Sequence, residues 1–230
     1  MKKNNIVVSI IVPVYNEEDT INQVIEELSY IKNDLPLMEI IIIDDGSTDK
    51  TSDLVSAYSS IRYIKHDKNM GKGEAIRTGI KNSNGSVIII HDADMEYSAE
   101  NIPELITPIL LGHAKVVYGS RFMGDYDGMS SSHYLGNRVL SFVTTILYGS
   151  YISDVMTGHK AFSKDIFDQI NINEKGFDVE VELTSKILKS GVKIIEIPIN
   201  YSYRSHGHSK ISYFDGVRSF FKLFINKLKV

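Results

Sequence analysis

The chain contains no cysteine. That excludes disulfide frameworks, cysteine-ligated zinc, iron–sulfur clusters and thiol nucleophiles together, and it suits a reducing cytoplasm. There is no excess of positive charge: 25 Lys and Arg against 29 Asp and Glu leave −4 over 230 residues. The chain as a whole therefore offers no electrostatic footprint for nucleic acid. No apolar run approaches the ~20 residues that span a bilayer; the longest uncharged candidate, Val139 to Ser153, is short and rich in Ser, Thr and Gly. Met1-Lys2-Lys3 followed by Ile6–Val14 superficially resembles the start of a signal peptide. It lacks a small-residue cleavage pattern and reads instead as a buried first strand. No internal repeat or low-complexity linker divides the chain. What is present, 43% hydrophobic and 23% charged residues, is ordinary globular composition. One large domain over residues 1–213 is expected, with a C-terminal helix, 214–230, in the same structural unit.

Two periodicities alternate in the first half. Ile6–Val14, Glu39–Asp44, Arg62–His66, Ser86–Asp92 and Lys115–Gly119 are short runs rich in β-branched residues. Helical patterns lie between them near Glu17–Ile31, Thr48–Ser59, Gly73–Asn82 and Ala99–Leu111. Runs such as Ile40-Ile41-Ile42-Ile43 imply burial on both faces, and the alternation implies a doubly wound, mostly parallel α/β sheet. Further on, a loop at 124–132 precedes an apolar helical stretch Tyr134–Tyr148, a helix near Asp178–Ser190, a strand Val192–Tyr203 and a final helix from Phe214. Polar residues gather where strands end: Asn16-Glu17, Asp44-Asp45, Asp92-Ala93-Asp94 and Ser120-Arg121. In open α/β sheets that edge is where ligands bind.

Asp92 and Asp94 share one face of extended backbone. Two carboxylates held together call for a cation, and hard oxygen donors favour Mg²⁺ or Mn²⁺ carrying substrate phosphates. Glu96 continues the series and joins the metal shell directly or through water. The alternative is an acidic strand end in a solvated loop. Asp44-Asp45-Gly46-Ser47-Thr48-Asp49 offers carboxylate acceptors for a nucleobase N–H or ribose hydroxyls, while Ser47 or Thr48 can cap the next helix. Asn69-Met70-Gly71-Lys72-Gly73 fits neither phosphate-loop template and reads as a helix entry packed close to the site. Arg204-Ser205-His206-Gly207-His208-Ser209-Lys210 combines two cations with hydroxyl and backbone donors, a good oxyanion clamp. Its histidines have metal-like spacing but no evident third ligand.

Together these residues resemble inverting nucleotide-sugar glycosyltransferases of family 2, with the GT-A fold. The motifs run in order: Val12-Pro13-Val14-Tyr15-Asn16-Glu17, Asp44 to Asp49, Asn69-x-Gly71-Lys72-Gly73 and Asp92-x-Asp94. Gly119-Ser120-Arg121, Asp154-x-x-Thr157-Gly158-x-Lys160-Ala161-Phe162 and Arg204-x-x-Gly207-x-Ser209-Lys210 are similar to the dolichyl/polyprenyl-phosphate sugar synthase branch. The resemblance implies that Pro13, Tyr15, Glu17, Asp44, Asp45, Lys72 and Asp92 bind the nucleotide sugar, and that Asp92, Asp94 and Glu96 hold the metal. It implies that Asp94, Arg121, Arg204 and Lys210 serve catalysis, and that Arg121, Arg138 and Ser209 grip the acceptor phosphate. A polyprenyl phosphate attacks without a strong base; a glycan or other hydroxyl acceptor would need one, and Asp154 is the candidate. A nucleotide-sugar or lipid-phosphate binding subunit with little activity is the third alternative.

Val217, Phe220, Phe221, Phe224 and Leu228 recur at helical spacing among Arg218, Lys222, Lys227 and Lys229. Such a basic amphipathic helix can lie in a headgroup plane, which implies a cytoplasmic protein peripheral on the cytoplasmic face of a membrane. The alternative is a helix packed on the domain or on a partner in a homo-oligomer. Tyr134–Tyr148 is either a second interfacial element or core.

Overall fold

A computed structural model describes residues 7–35, 37–124, 126–127, 129–202 and 213–228. In chain order the elements are β1 (Val8–Val14), α1 (Ile21–Asp34), β2 (Met38–Asp44), α2 (Thr51–Ser56), β3 (Arg62–Lys65), α3 (Lys72–Asn82), β4 (Val87–Ile90), α4 (Ile102–Leu110), β5 (Val116–Ser120), β6 (Tyr126–Asp127), α5 (Ser131–Tyr148), β7 (Lys160–Ser163), α6 (Ile166–Gln169), α7 (Val179–Lys189), β8 (Ile194–Pro198), β9 (Tyr201–Ser202) and α8 (Tyr213–Leu228). Seven strands form one sheet in the order β3-β2-β1-β4-β7-β5-β8; β6 and β9 make a separate parallel pair.

Side-chain alternation sorts the sheet into two packed faces. Val8, Ile10, Val12 and Val14 of β1, with Ile40 and Ile42 of β2, meet α1 and α4. Their neighbours Ile11, Ile41 and Ile43 turn the other way, toward Ala75 on α3. The second half of that face is covered by α5, α7 and α8, through Leu140, Val181, Leu183 and Leu223. Continuous isoleucine runs are thus buried on both sides, as a doubly covered parallel sheet requires.

The strand order reverses beside β1: the chain moves outward through β2 and β3, then returns to β4 on the other flank of β1. That reversal opens a crevice beyond the carboxyl ends of β1 and β4. The residues following these two strands, Tyr15 to Glu17 and Asp92 to Glu96, stand on its two sides.

Three elements depart from the sequence expectation. β7 runs antiparallel between β4 and β5. It is only 4 residues long and begins with fully buried Lys160, so it lacks the apolar signature of a central strand. The expected strand Val192–Tyr203 breaks in two: β8 ends at Pro198, and β9 resumes at Tyr201 to pair with β6 instead of β5. Helix α2 is also shorter than expected. Ser47 and Thr48 do not cap it: Ser47 Oγ accepts from Asn16 N at 3.0 Å, while Thr48 N donates to Asn16 Oδ1 at 2.8 Å.

Candidate active site

The crevice is a cleft of about 1180 Å³. Of the residues singled out in the sequence, Pro13, Tyr15, Glu17, Asp45, Lys72, Asp92, Asp94, Glu96 and Arg121 all line it. Arg204, Ser209 and Lys210, with His206 and His208, lie outside the described residues.

The loop after β1 is zipped to the loop after β2. Glu17 N donates to Thr51 Oγ1 at 2.9 Å, and Lys50 N donates to Glu18 Oε2 at 2.9 Å. Asn16 takes φ 51°, a left-handed conformation asparagine tolerates.

The two aspartates at the end of β2 differ from their expected use. Asp44 is fully buried and does not line the cleft. Its Oδ1 accepts from Ser47 N at 2.7 Å, and its Oδ2 accepts from the hydroxyls of Ser52 at 2.6 Å and Tyr63 at 2.7 Å. Burial opposes its charge, but these donors outweigh burial and hold its pKa below the ordinary value. Asp45 faces the cleft, yet its carboxylate accepts from Met70 N at 2.9 Å and Gly71 N at 2.7 Å, with His66 Nδ1 at 2.7 Å. It fixes the 69–71 turn that starts α3. Gly71 there has φ 98°, and a Cβ on it would stand 2.3 Å from the Lys175 carbonyl oxygen; the helix entry is packed close, as its composition implied.

Beyond β4, Asp92 and Asp94 enter the cleft. Thr20 Oγ1 donates to the Ala93 carbonyl at 2.7 Å, and Glu96 N donates to Asp94 Oδ1 at 3.2 Å. Met95 between them has φ 61°, an unusual conformation for an unbranched residue and of the kind that collects at functional sites. Lys72 reaches both oxygens of Asp92, at 2.7 and 2.9 Å. Gly158 closes the other side, where a Cβ would stand 1.9 Å from Asp92 Oδ2. Behind Asp92, His91 and His159 are buried side by side with ring centroids 4.9 Å apart. Burial pulls the His91 pKa down to about 4 despite Asp92, and lowers His159 as well.

The donor set fits a hard divalent cation. Its exposed oxygen ligands would come from Asp92 and Asp94, and the ammonium on Asp92 marks a place where positive charge is already favoured. Among the described residues no cluster of three His, Asp or Glu gathers as a cage. A cation would therefore rest on one or two carboxylates and on substrate oxygens, which is the usual manner of Mg²⁺.

Arg121 is buried, with Nε and Nη2 on the two oxygens of Asp154, both at 2.7 Å. Asp154, the residue considered as a base, is fully buried behind that arginine and does not line the cleft. Glu196 braces its loop by accepting from Ser153 N at 2.8 Å and Asp154 N at 3.0 Å. Arg138 is exposed on α5 with its guanidinium carbon 5.4 Å from the Phe122 ring centre; it does not line the cleft.

Sequence reasoning missed Glu180. It lines the cleft from the first turn of α7 and pairs with Lys72 at 2.8 Å and with buried Lys160. The alternation Asp178-Val179-Glu180-Val181-Glu182 resembles a solvated helix start, whereas every residue from Val179 to Ser185 is buried. The one signal available was Lys160, a cation inside a motif that otherwise reads as core and therefore in need of a partner.

The cleft also has an extensive apolar lining. Met129, Leu135, Val139, Leu140, Met156, Phe177, Val217, Phe220 and Phe221 line it, mostly from α5 and α8. Helix α8 docks on the domain through Ser219, Leu223 and Asn226, and Ser219 Oγ donates to Asp178 Oδ1 at 2.9 Å. Arg218 pairs with Asp178 at 2.6 Å, Lys222 with Glu174. Its other side leaves Phe221, Phe224, Ile225 and Leu228 exposed, beside an exposed stripe of Leu135, Val139, Phe142 and Ile146 on α5. No helix among the described residues is long and apolar enough to cross a membrane.

A family model described as glycosyl transferase family 2 matches residues 9–170. A dolichyl-phosphate beta-glucosyltransferase of Dictyostelium discoideum is 32% identical over 223 residues, covering 86% of this chain and 67% of that protein. A UDP-N-acetylglucosamine–dolichyl-phosphate N-acetylglucosaminyltransferase of Methanococcus voltae is 28% identical, with 95% of each chain covered. Among solved structures, glucosyl-3-phosphoglycerate synthase from Mycobacterium tuberculosis, in complex with Mn²⁺, UDP and phosphoglyceric acid, superposes with a TM-score of 0.74 at 21% identity, over 97% of this chain and 79% of that one. That likeness carries the GT-A fold. With its order of strands, its carboxylate-lined crevice and a family match over more than half its length, the chain belongs to glycosyltransferase family 2.

Proposed function

We propose that the protein transfers a hexose from a nucleoside diphosphate sugar to a polyprenyl phosphate, with inversion at the anomeric carbon. One observation carries this reading: a single cleft is lined both by charged residues, Lys72, Asp92, Asp94 and Arg121, and by apolar residues of α5 and α8. A sugar nucleotide matches the first, and isoprene units beside a phosphate match the second. The relatives named for dolichyl-phosphate transfer agree with it.

Along the charged lining, Pro13, Tyr15, Glu17 and Asp45 border the nucleoside, while Asp92 and Asp94 hold a divalent cation, Mg²⁺ or Mn²⁺, with Glu96 beside them. Such a cation stabilises charge on the departing diphosphate. Asp44 acts from beneath by fixing the loop after β2. Arg121, which lines the same cleft with its guanidinium oriented by Asp154, attracts the acceptor phosphate. Arg204, Ser209 and Lys210 complete this grip, with Arg138 guiding the headgroup from α5.

The state of the carboxylates favours an acceptor that arrives already ionised. Asp154 is engaged by Arg121, and Glu180 by Lys72 and Lys160. Burial raises the pKa of Glu180, but the two lysines outweigh it and hold it low. Neither is suited to take a proton from a hydroxyl. A lipid phosphate, with a second pKa of about 6, needs no such base. Its oxygen attacks the anomeric carbon as the bond to the diphosphate oxygen breaks, and the cationic groups offset repulsion between the two anions.

The exposed apolar faces of α5 and α8 adjoin the apolar lining of the cleft. We infer that they rest on the membrane that carries the acceptor. The basic residues of α8 contribute less than its composition suggests, since Arg218 and Lys222 pair with acidic residues of the domain.

The test is to incubate the protein with Mn²⁺, a panel of nucleotide sugars, and either polyprenyl phosphate or methyl phosphate. Turnover that depends on the isoprenoid, and a raised KM for it in Val139→Asp and Phe221→Asp, is the expected result. Equal turnover on methyl phosphate would overturn the assignment of the apolar lining. For the membrane contact, Phe142→Gln with Leu228→Gln lowers vesicle binding, while unchanged binding by the folded variant contradicts it.

A further inference from the structure

Four charges alternate in sign from the core out to the cleft: Lys160, Glu180, Lys72 and Asp92. Lys160 is wholly buried, touching Glu180 Oε2 and the Thr157 carbonyl, with its ammonium 4.8 Å from the centre of the Tyr118 ring. Glu180 turns its other oxygen to Lys72 at 2.8 Å. Lys72 in turn covers both oxygens of Asp92. The ladder balances its charge without any metal.

Geometry makes the last rung exclusive. The base of Lys72 is tied down, because Gly73 N donates to the Lys175 carbonyl at 2.7 Å and the backbone at Gly71 and Gly73 packs closely on Glu174 and Lys175. Asp92 is wedged between that ammonium and Gly158. A divalent ion reaching Asp92 meets a like charge already seated there, and two cations at contact distance in a partly desolvated site repel strongly. An arriving diphosphate changes the balance, since it brings anionic oxygens to which the ammonium can turn.

We propose that Lys72 is the resident counter-ion of Asp92 in the donor-free protein, and that it moves onto the diphosphate when donor and metal bind together. Glu180, backed by Lys160, is the positioning residue that keeps Lys72 there. The metal alone then binds weakly, and metal and diphosphate each raise the other's affinity by the same factor. The inference rests on the assignment of Asp92 and Asp94 to the metal.

Mn²⁺ titration of the full chain, followed by the EPR signal of the free ion and corrected for metal–nucleotide complexes, tests it with UDP and GDP as diphosphate probes. Lys72→Gln keeps a hydrogen-bond donor but removes the charge. It should bind Mn²⁺ alone about tenfold more tightly than wild type and lose most of the gain from the diphosphate. Lys72→Arg keeps the charge and should leave binding of the metal alone weak. If Lys72→Gln does not fold by thermal melting, Lys72→Met serves, with a tightening in the same direction. The inference is overturned if Lys72→Gln, or Lys72→Met in its place, binds Mn²⁺ alone no more tightly than wild type, or if Gln and Arg at position 72 behave alike. A wild-type protein that binds no Mn²⁺ with either diphosphate, or an Asp92→Asn, Asp94→Asn double variant that binds it as wild type does, would instead remove the metal assignment beneath.

Discussion

Two pairs of aspartates follow two strands that flank β1 in the same sheet, Asp44-Asp45 after β2 and Asp92 with Asp94 after β4, and they have opposite fates. Asp44 and Asp45 have their oxygens engaged by backbone N–H groups and hydroxyls. They build the turns that shape one side of the cleft. Among the described residues Asp92 faces Lys72 and the bare edge of Gly158, and Asp94, with Oδ1 accepting from Glu96 N at 3.2 Å, stands in the cleft beside Met95 at φ 61°. Residue type and position at a strand end therefore do not decide whether a carboxylate is structural or chemical. What decides it is how many of its lone pairs the surrounding N–H groups and hydroxyls claim, and whether it faces the cleft.

That contrast predicts opposite responses to mutation. Asp94→Ala should reduce kcat by about 10²–10³-fold through lost stabilisation of the leaving diphosphate, with the thermal melt nearly unchanged. A melt that falls along with activity would place Asp94 with the structural pair. Gly158→Ala should cost about 10²-fold in rate, because the new Cβ displaces Asp92 from its working position; wild-type turnover would mean that Asp92 is not held where its contacts suggest. Asp44→Ala should act on stability, leaving the buried Ser47 N–H and the half-buried hydroxyls of Ser52 and Tyr63 without their acceptor at a cost of about 3 kcal/mol. For a chain of this size that is a Tm lower by roughly 6–12 °C, with turnover per folded molecule largely retained.

The smallest effect separates Asp44 by pH. Its folded pKa lies below the ordinary value of 3.8. The stability it contributes is therefore complete above that value and is lost as pH falls through the folded pKa. Urea melts of wild type and Asp44→Asn should converge as the pH drops below about 4. A gap that widens toward acid pH would reverse the assigned sign.

The sheet was legible because isoleucine runs flanked by helical patterns leave few alternatives to doubly covered parallel strands. The cleft was legible because polar residues accumulate at strand ends, and the topology brings those ends together. β7 escaped because its central place depends on a buried lysine whose partner is 20 residues away in the chain. Glu180 escaped for the same reason from the other side. Asp44 was placed in the nucleoside pocket because sequence shows an acceptor but not the donors that Ser52 and Tyr63 fold onto it. In α8 the periodicity identified the apolar positions, whereas only packing separates Leu223, turned inward, from Phe221, turned outward.

The central claim is that the acceptor attacks as an anion and needs no protein base. Matched acceptors test it most directly: a polyprenyl phosphate and the corresponding polyprenol, offered at equal concentration with the same nucleotide sugar and Mn²⁺. Transfer to the phosphate with none to the alcohol is the predicted result. Transfer to the alcohol, abolished in Asp154→Asn or Glu180→Gln, would contradict it.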